Sequence, residues 1–278
     1  MSVIEPDLPV TVIEAGRTER RYWRDLWRYR ELFHLLAWRD VMVRYKQTAV
    51  GVAWALFQPL VMVLILTFVR SLLGGPTEGP PLALVILAGL IPWQFFAQAL
   101  TGCSNSLVQN ANLLSKVYFP RLIVPASAIV VALVDYLISL AILAGMMAYY
   151  GVMPSWRILT LPLLTAVAFL AALGPGLWFA ALNVKYRDFR YIVPVIVAFG
   201  LYASPIIYET SMVPERFRLL YSLNPMAGVI EGFRWAILGT GAEVYAAGVA
   251  VSLAMQVVLL ASGVWYFRRV ERTFADVI

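Results

Sequence analysis

The stretch Leu32-Phe33-His34-Leu35-Leu36-Ala37-Trp38-Arg39-Asp40-Val41-Met42-Val43-Arg44-Tyr45-Lys46-Gln47-Thr48 runs on through Gly51, Trp54 and Gln58-Pro59 into an apolar segment that ends at Arg70. A charged amphipathic segment here passes without a break into a membrane span. Arg39, Arg44 and Lys46 stand just ahead of the apolar part, and positive charge in that position is retained on the cytoplasmic side of a bilayer. This one boundary orients the whole chain.

Outward from that stretch, the composition says that lipid is the solvent. Of 278 residues, 61% are hydrophobic and 14% charged, where a soluble domain carries about 25% charged residues. The chain reads as an all-α polytopic membrane protein. Its single cysteine, Cys103, excludes an internal disulfide, and its single histidine, His34, excludes a His-pair metal site. The net charge of +6 is explained by the flanks of the spans rather than by a nucleic-acid partner. No glycine is followed by lysine, so a Walker A loop is excluded and no ATP is bound in that way.

Toward the N-terminus, residues 1–20 lack the apolar region of a signal peptide and read as a cytoplasmic arm. From there Tyr22, Leu26, Tyr29, Phe33 and Leu36 recur at spacings of three and four, with Arg24, Arg28 and Glu31 on the other side. The pattern predicts an amphipathic helix lying in the membrane interface with its aromatics at headgroup depth. A helix docked on a soluble partner would show the same pattern.

Toward the C-terminus, apolar spans are expected at roughly 52–70, 82–103, 122–150, 158–182 and 243–267, with a shorter sixth at 193–208. Pro92 is expected to kink the second span, and Gly174-Pro175-Gly176 to break the fourth. Between the fifth and sixth spans in chain order, Asn224-Pro225 separates two short helices that carry Glu215, Arg216, Arg218, Glu231 and Arg234. A hairpin dipping back from the outer face (209–240) keeps an even number of crossings. With that topology, 17 of the 22 Lys and Arg residues fall on the inner side and five on the outer, which puts both termini in the cytoplasm. The chain thus divides into a cytoplasmic arm and interfacial helix (1–51), a six-span body (52–267) and a cytoplasmic tail (268–278).

Two inner loops, 104–121 and 183–192, are short polar stretches pinned between spans, so they can transmit a push from a soluble partner or serve as plain basic turns. Asp135 is an acid well inside a span, where an ionisable group is costly. With no Lys or His at its depth it makes a poor proton relay, and it is expected to hydrogen-bond Ser139 or a facing helix. Trp54, Phe57, Phe68, Phe199 and Tyr202 lie deep in the first and fifth spans. Their rings suit either helix packing or stacking on sugar faces. In the hairpin region, Tyr208, Tyr221, Phe233 and Trp235 are available to close against a sugar or the headgroup layer.

The ordered series Glu31-Leu-Phe-His-Leu-Leu-Ala-Trp-Arg-Asp, Arg44-Tyr45-Lys46-Gln47-Thr48, Gly51-x-x-Trp54, Gln58-Pro59, Gly89-x-x-Pro92-Trp93, Lys116-x-x-Phe119-Pro120, Tyr186-Arg187-Asp188, Ser204-Pro205-Ile206-x-Tyr208 and Leu223-Asn224-Pro225-Met226 resembles the permease subunit of ABC-2-type polysaccharide exporters. That family includes O-antigen, capsule and teichoic-acid exporters. The resemblance implies a homodimer in a bacterial inner membrane, joined by two cytoplasmic ATPase subunits that hold ATP and Mg, and moving a lipid-linked glycan outward. It implies ATPase contacts at Arg24, Arg28, Asn112, Lys116, Phe119, Arg121, Lys185, Tyr186, Arg187 and Asp188. The deep aromatics would line the passage, and Tyr208, Tyr221, Asn224, Pro225, Phe233, Arg234 and Trp235 would belong to an outer gate. An ABC-2 exporter of a smaller lipid or drug is the nearest alternative. A membrane-embedded glycan-modifying enzyme is a weaker one, because it would need a clustered His, Asp or Glu site.

Overall fold

The computed structural model describes residues 19–46, 51–72, 80–208, 210–239, 245–271 and 274, without the side chains of 19–21, 51–55 and 211. The arm before Glu19, the Trp54 side chain, Glu209 and Arg272 lie outside the described residues. Described elements are helical throughout: α1 (Glu19–Arg28), α2 (Arg30–Lys46), α3 (Gly51–Leu72), α4 (Leu82–Gln109), α5 (Ala111–Lys116), α6 (Ile123–Tyr149), α7 (Leu161–Lys185), α8 (Phe189–Ala203), α9 (Glu215–Tyr221), α10 (Ala227–Leu238) and α11 (Ala246–Val270). By length and composition, four segments are able to cross a membrane: Leu82–Gln109, Ile123–Tyr149, Trp156–Lys185 and Ala246–Val270. α8 counts 15 residues, roughly 22 Å at about 1.5 Å per residue, against an apolar bilayer core of about 30 Å.

α4 is the hub. It is apolar over most of its circumference and buried over most of its length, from Leu84 to Leu107, and α3, α6, α7, α8 and α10 all pack on it. A helix that is hydrophobic nearly all round has to be enclosed by others. Pro92 leaves it continuous from Leu82 to Gln109.

α7 also runs unbroken from Leu161 to Lys185, so Gly174-Pro175-Gly176 does not interrupt the span as its composition suggests. The two glycines serve close packing instead. A Cβ on Gly174 would stand 2.7 Å from the backbone of Leu259 and Leu260 in α11, and one on Gly176 would stand 2.6 Å from Cys103 Sγ in α4. A Cβ on Gly263 would overlap the Gly174 carbonyl. Small residues bring helix backbones together in this way where lipid supplies no hydrophobic drive.

A second apolar cluster closes one end of the bundle. Leu36 of α2, Leu114 of α5, Phe119, Leu122, Leu177 of α7, Phe267 of α11 and Phe274 form it, with Tyr22, Leu26, Tyr29 and Phe33 packed against it. The periodic stripe of α1 and α2 therefore faces the protein, while Trp23, Trp27, Leu35 and Trp38 on the other side are exposed. Periodicity locates an apolar face without saying what covers it. The 104–121 loop is correspondingly shorter than expected, because α4 continues to Gln109 and its Ser104, Ser106 and Leu107 are buried.

Candidate functional site

At the end of the bundle that carries α1, α2 and α5, Arg24, Arg28, Asn112, Lys116, Lys185, Tyr186, Arg187 and Asp188 are all exposed. Two neighbours assigned with them are not. Phe119 is 4% exposed within the second apolar cluster, and Arg121 donates to the backbone carbonyl of Glu271. Both anchor the turn before α6 and leave the surface to the others. Asn183, almost fully buried, donates to Ser104 O and Asn105 Oδ1, each at 3.1 Å. It ties the end of α4 to the end of α7, a link between the two loops that no local motif announces.

Inside the bundle, Asp135 has a partner after all. Arg44 Nη2 lies 2.5 Å from its Oδ2, and the Tyr45 hydroxyl donates to its Oδ1. Ser139 bonds the Asp135 backbone carbonyl rather than the carboxylate. The facing helix supplies an ion pair, because α2 carries Arg44 down to the level of Asp135. Arg44 Nη2 also reaches Gln98 Oε1 at 3.4 Å, and Arg39 Nη2 donates to Asn110 Oδ1 at 2.7 Å. α2 is thereby fastened to α4 at Gln98, to the turn between α4 and α5 at Asn110, and to α6 at Asp135.

Beside Gln98 a cleft of about 170 Å³ opens between α3, α4 and α8, lined by Gln58, Trp93, Gln94, Gln98, Val197 and Leu201 among others. Gly200 lets α8 approach Trp93, since a Cβ there would fall 2.6 Å from the indole. α3 and α8 also carry Phe57, Phe68, Phe199 and Tyr202, each more than half exposed. Trp54 lies outside the described side chains.

At the opposite end, α9 and α10 differ sharply. α9 exposes Phe217, Leu219 and Leu220, whereas α10 buries Val229, Ile230, Phe233, Ala236 and Ile237 in the main core. Phe233 therefore packs and does not face a ligand. Arg234 is 7% exposed and donates to three carbonyls: Ile206 O at 2.6 Å, Tyr208 O at 3.2 Å and Val85 O at 3.3 Å. Gly89 makes room for it, as a Cβ there would lie 3.2 Å from Nη2. The guanidinium satisfies backbone carbonyls where the chain leaves α8 without continuing as helix. Asn224 donates to Ala203 O and Ser204 Oγ at 3.2 and 2.9 Å. Pro225 O accepts from Ser252 Oγ and Gln256 Nε2 at 2.9 and 2.6 Å. Trp235 lies under the Arg157 guanidinium at 4.9 Å, and the Tyr208 and Tyr221 rings are 6.0 Å apart.

Architecture and site together define a helical integral membrane protein with a largely apolar cleft edged by three glutamines. The chain belongs to the ABC-2 type transporter family, which it matches over residues 31–238. It is 29% identical over 266 residues to the O-antigen export system permease protein RfbA of Myxococcus xanthus, covering 93% of this chain and 99% of that protein. A Klebsiella pneumoniae protein of the same name is 27% identical over 253 residues, covering 89% and 95% respectively. The polysialic acid transport protein KpsM of Escherichia coli is 22% identical over 207 residues, covering 72% and 78%.

Proposed function

We propose that this chain is the permease subunit of an ATP-driven exporter that moves a lipid-linked, O-antigen-like polysaccharide across a bacterial inner membrane. The observation that carries the reading is the near full-length likeness to O-antigen export permeases. α3, α4, α6, α7, α8 and α11 are the six crossings, and both termini are cytoplasmic. α1 and α2 lie along the inner face with Trp23, Trp27 and Trp38 at headgroup depth. α9 and α10 form a re-entrant hairpin on the outer side, in which α9 is the piece free to gate because α10 belongs to the core.

Two copies enclose one passage between their α3 and α8 faces, where rings can stack on successive sugars through many weak contacts. Two cytoplasmic ATPase subunits hold ATP and Mg and push on Lys116, Tyr186, Arg187 and Asp188 of each copy. The chain itself has no Walker A sequence. Deleting the chain in a glycan-producing host tests the reading. Surface glycan should vanish and the lipid-linked polymer should accumulate on the cytoplasmic side; surface glycan undiminished by the deletion would exclude it.

A further inference from the structure

We infer that the cleft between α3, α4 and α8 is a subsite for one uncharged sugar ring of the travelling glycan, recognised through the amides of Gln58, Gln94 and Gln98. This rests on the export reading above. A primary amide facing hydrocarbon without a partner is costly. Gln58, Gln94 and Gln98 line one cleft whose wall is otherwise largely apolar, which fits a visitor with hydroxyls on its rim and apolar C–H faces.

The polar residues behind the cleft set what it accepts. Arginine has donors only, so Gln98 must turn its carbonyl toward Arg44, with which it is paired. Its amide N–H groups are then left to donate on the cleft side. Arg44 is itself balanced by the Asp135 carboxylate, which Tyr45 also bonds. The wall therefore presents oriented amide dipoles without net charge. Sugar hydroxyls both donate and accept, as amides do, and Trp93 adds an aromatic surface for the C–H face of a ring. The volume of about 170 Å³ is below the ~300 Å³ at which drug-sized pockets begin, so it suits a single ring. Arg44 and Asp135 act as positioning residues for Gln98.

The test uses the full chain assembled with its ATPase in inside-out vesicles. Gln58→Cys and Gln94→Cys are introduced singly, and each is labelled with the water-soluble anion sulfonatoethyl methanethiosulfonate. Native Cys103, with no exposed surface, is the unlabelled background. Vesicles come from cells that make the glycan and from cells blocked in its synthesis. Both cysteines should react in empty vesicles and react severalfold more slowly in glycan-laden ones. No reaction at either position means a lipid-filled cleft and overturns the subsite; equal rates in the two kinds of vesicle also overturn it. Gln58 is exposed, so its variant tests the idea even where Gln94→Cys fails to fold. Adding Arg44→Gln to Gln58→Cys should keep the labelling and weaken the protection severalfold, because glutamine can both donate and accept and so no longer fixes the Gln98 amide. Arg44→Lys, with donors only, should retain the protection; protection undiminished in the Arg44→Gln variant removes Arg44 from its positioning role. Loss of surface glycan on deleting the chain, with labelling indifferent to glycan, sinks the subsite alone. Surface glycan that survives the deletion sinks the export reading.

Discussion

The Tyr22 hydroxyl donates to the Glu271 carboxylate at 3.0 Å, joining residues 249 positions apart. Arg268 stands over the same ring at 4.4 Å. Burial, and then the neighbouring Glu271 charge, push the phenol well above its ordinary pKa, so Tyr22 remains a protonated donor. Tyr22→Phe should cost about 1.5–3 kcal/mol, the range for a hydrogen bond to a charged group. The expected readout is a lower melting temperature of the purified protein at unchanged helix content. An unshifted melting temperature would mean that the first helix is not held there.

Arg234 is the strongest single lock at the opposite end. Arg234→Leu strands buried carbonyls at about 1–3 kcal/mol each, and should leave little protein in the membrane. Arg234→Lys should rescue only partly, because a point charge cannot fork toward Ile206, Tyr208 and Val85 together. Equal membrane levels of the Lys variant and the parent protein would contradict the three-way contact.

Gly263→Ala pushes a methyl into the Gly174 carbonyl and should destabilise by about 1–3 kcal/mol or more, since backbone cannot yield as a side chain does. Gly145→Ala is the control. Nothing lies within 4 Å of its added Cβ, and an alanine in mid-helix gains about 0.5–1 kcal/mol. Opposite shifts in thermal stability are the expected result.

Charge reversal at exposed Lys116 or Arg187 should leave membrane insertion normal and lower both co-purification of the ATPase and glycan-coupled ATP hydrolysis severalfold. Full hydrolysis by either variant would reduce these loops to ordinary basic turns.

Some of this was legible from residue order. Long apolar runs bounded by basic residues mark α4, α6, α7 and α11, and Asn224-Pro225 marks the break between α9 and α10. Partners distant in sequence were not. Asp135 looked solitary because Arg44, 91 residues earlier, sat in a segment assigned to the membrane surface. The stripe Tyr22, Leu26, Tyr29, Phe33 and Leu36 was correctly apolar but assigned to the wrong cover, because spacing carries no information about the opposing surface. Phe119 read as an ATPase contact through the family resemblance, and Phe233 as a gate residue through the resemblance and its ring, and both are buried. The Gln58, Gln94 and Gln98 cleft had no signal beyond three amides in apolar runs, since it takes three helices to build it.

The enclosure of α4 carries a mechanical corollary. Interiors are packed about as densely as organic crystals, so displacing a rod packed against α3, α6, α7, α8 and α10 would open gaps along all of those contacts at once. α4, with α10 clamped to it through Arg234, is thus the stationary frame against which anything else must travel. α3, α8 and α9, which bury little of themselves, have an open flank on which to move. The cleft lies on the seam between that frame and two of those swinging elements, so an occupant lodged there would resist their closing and would register, as a load, each step of the stroke.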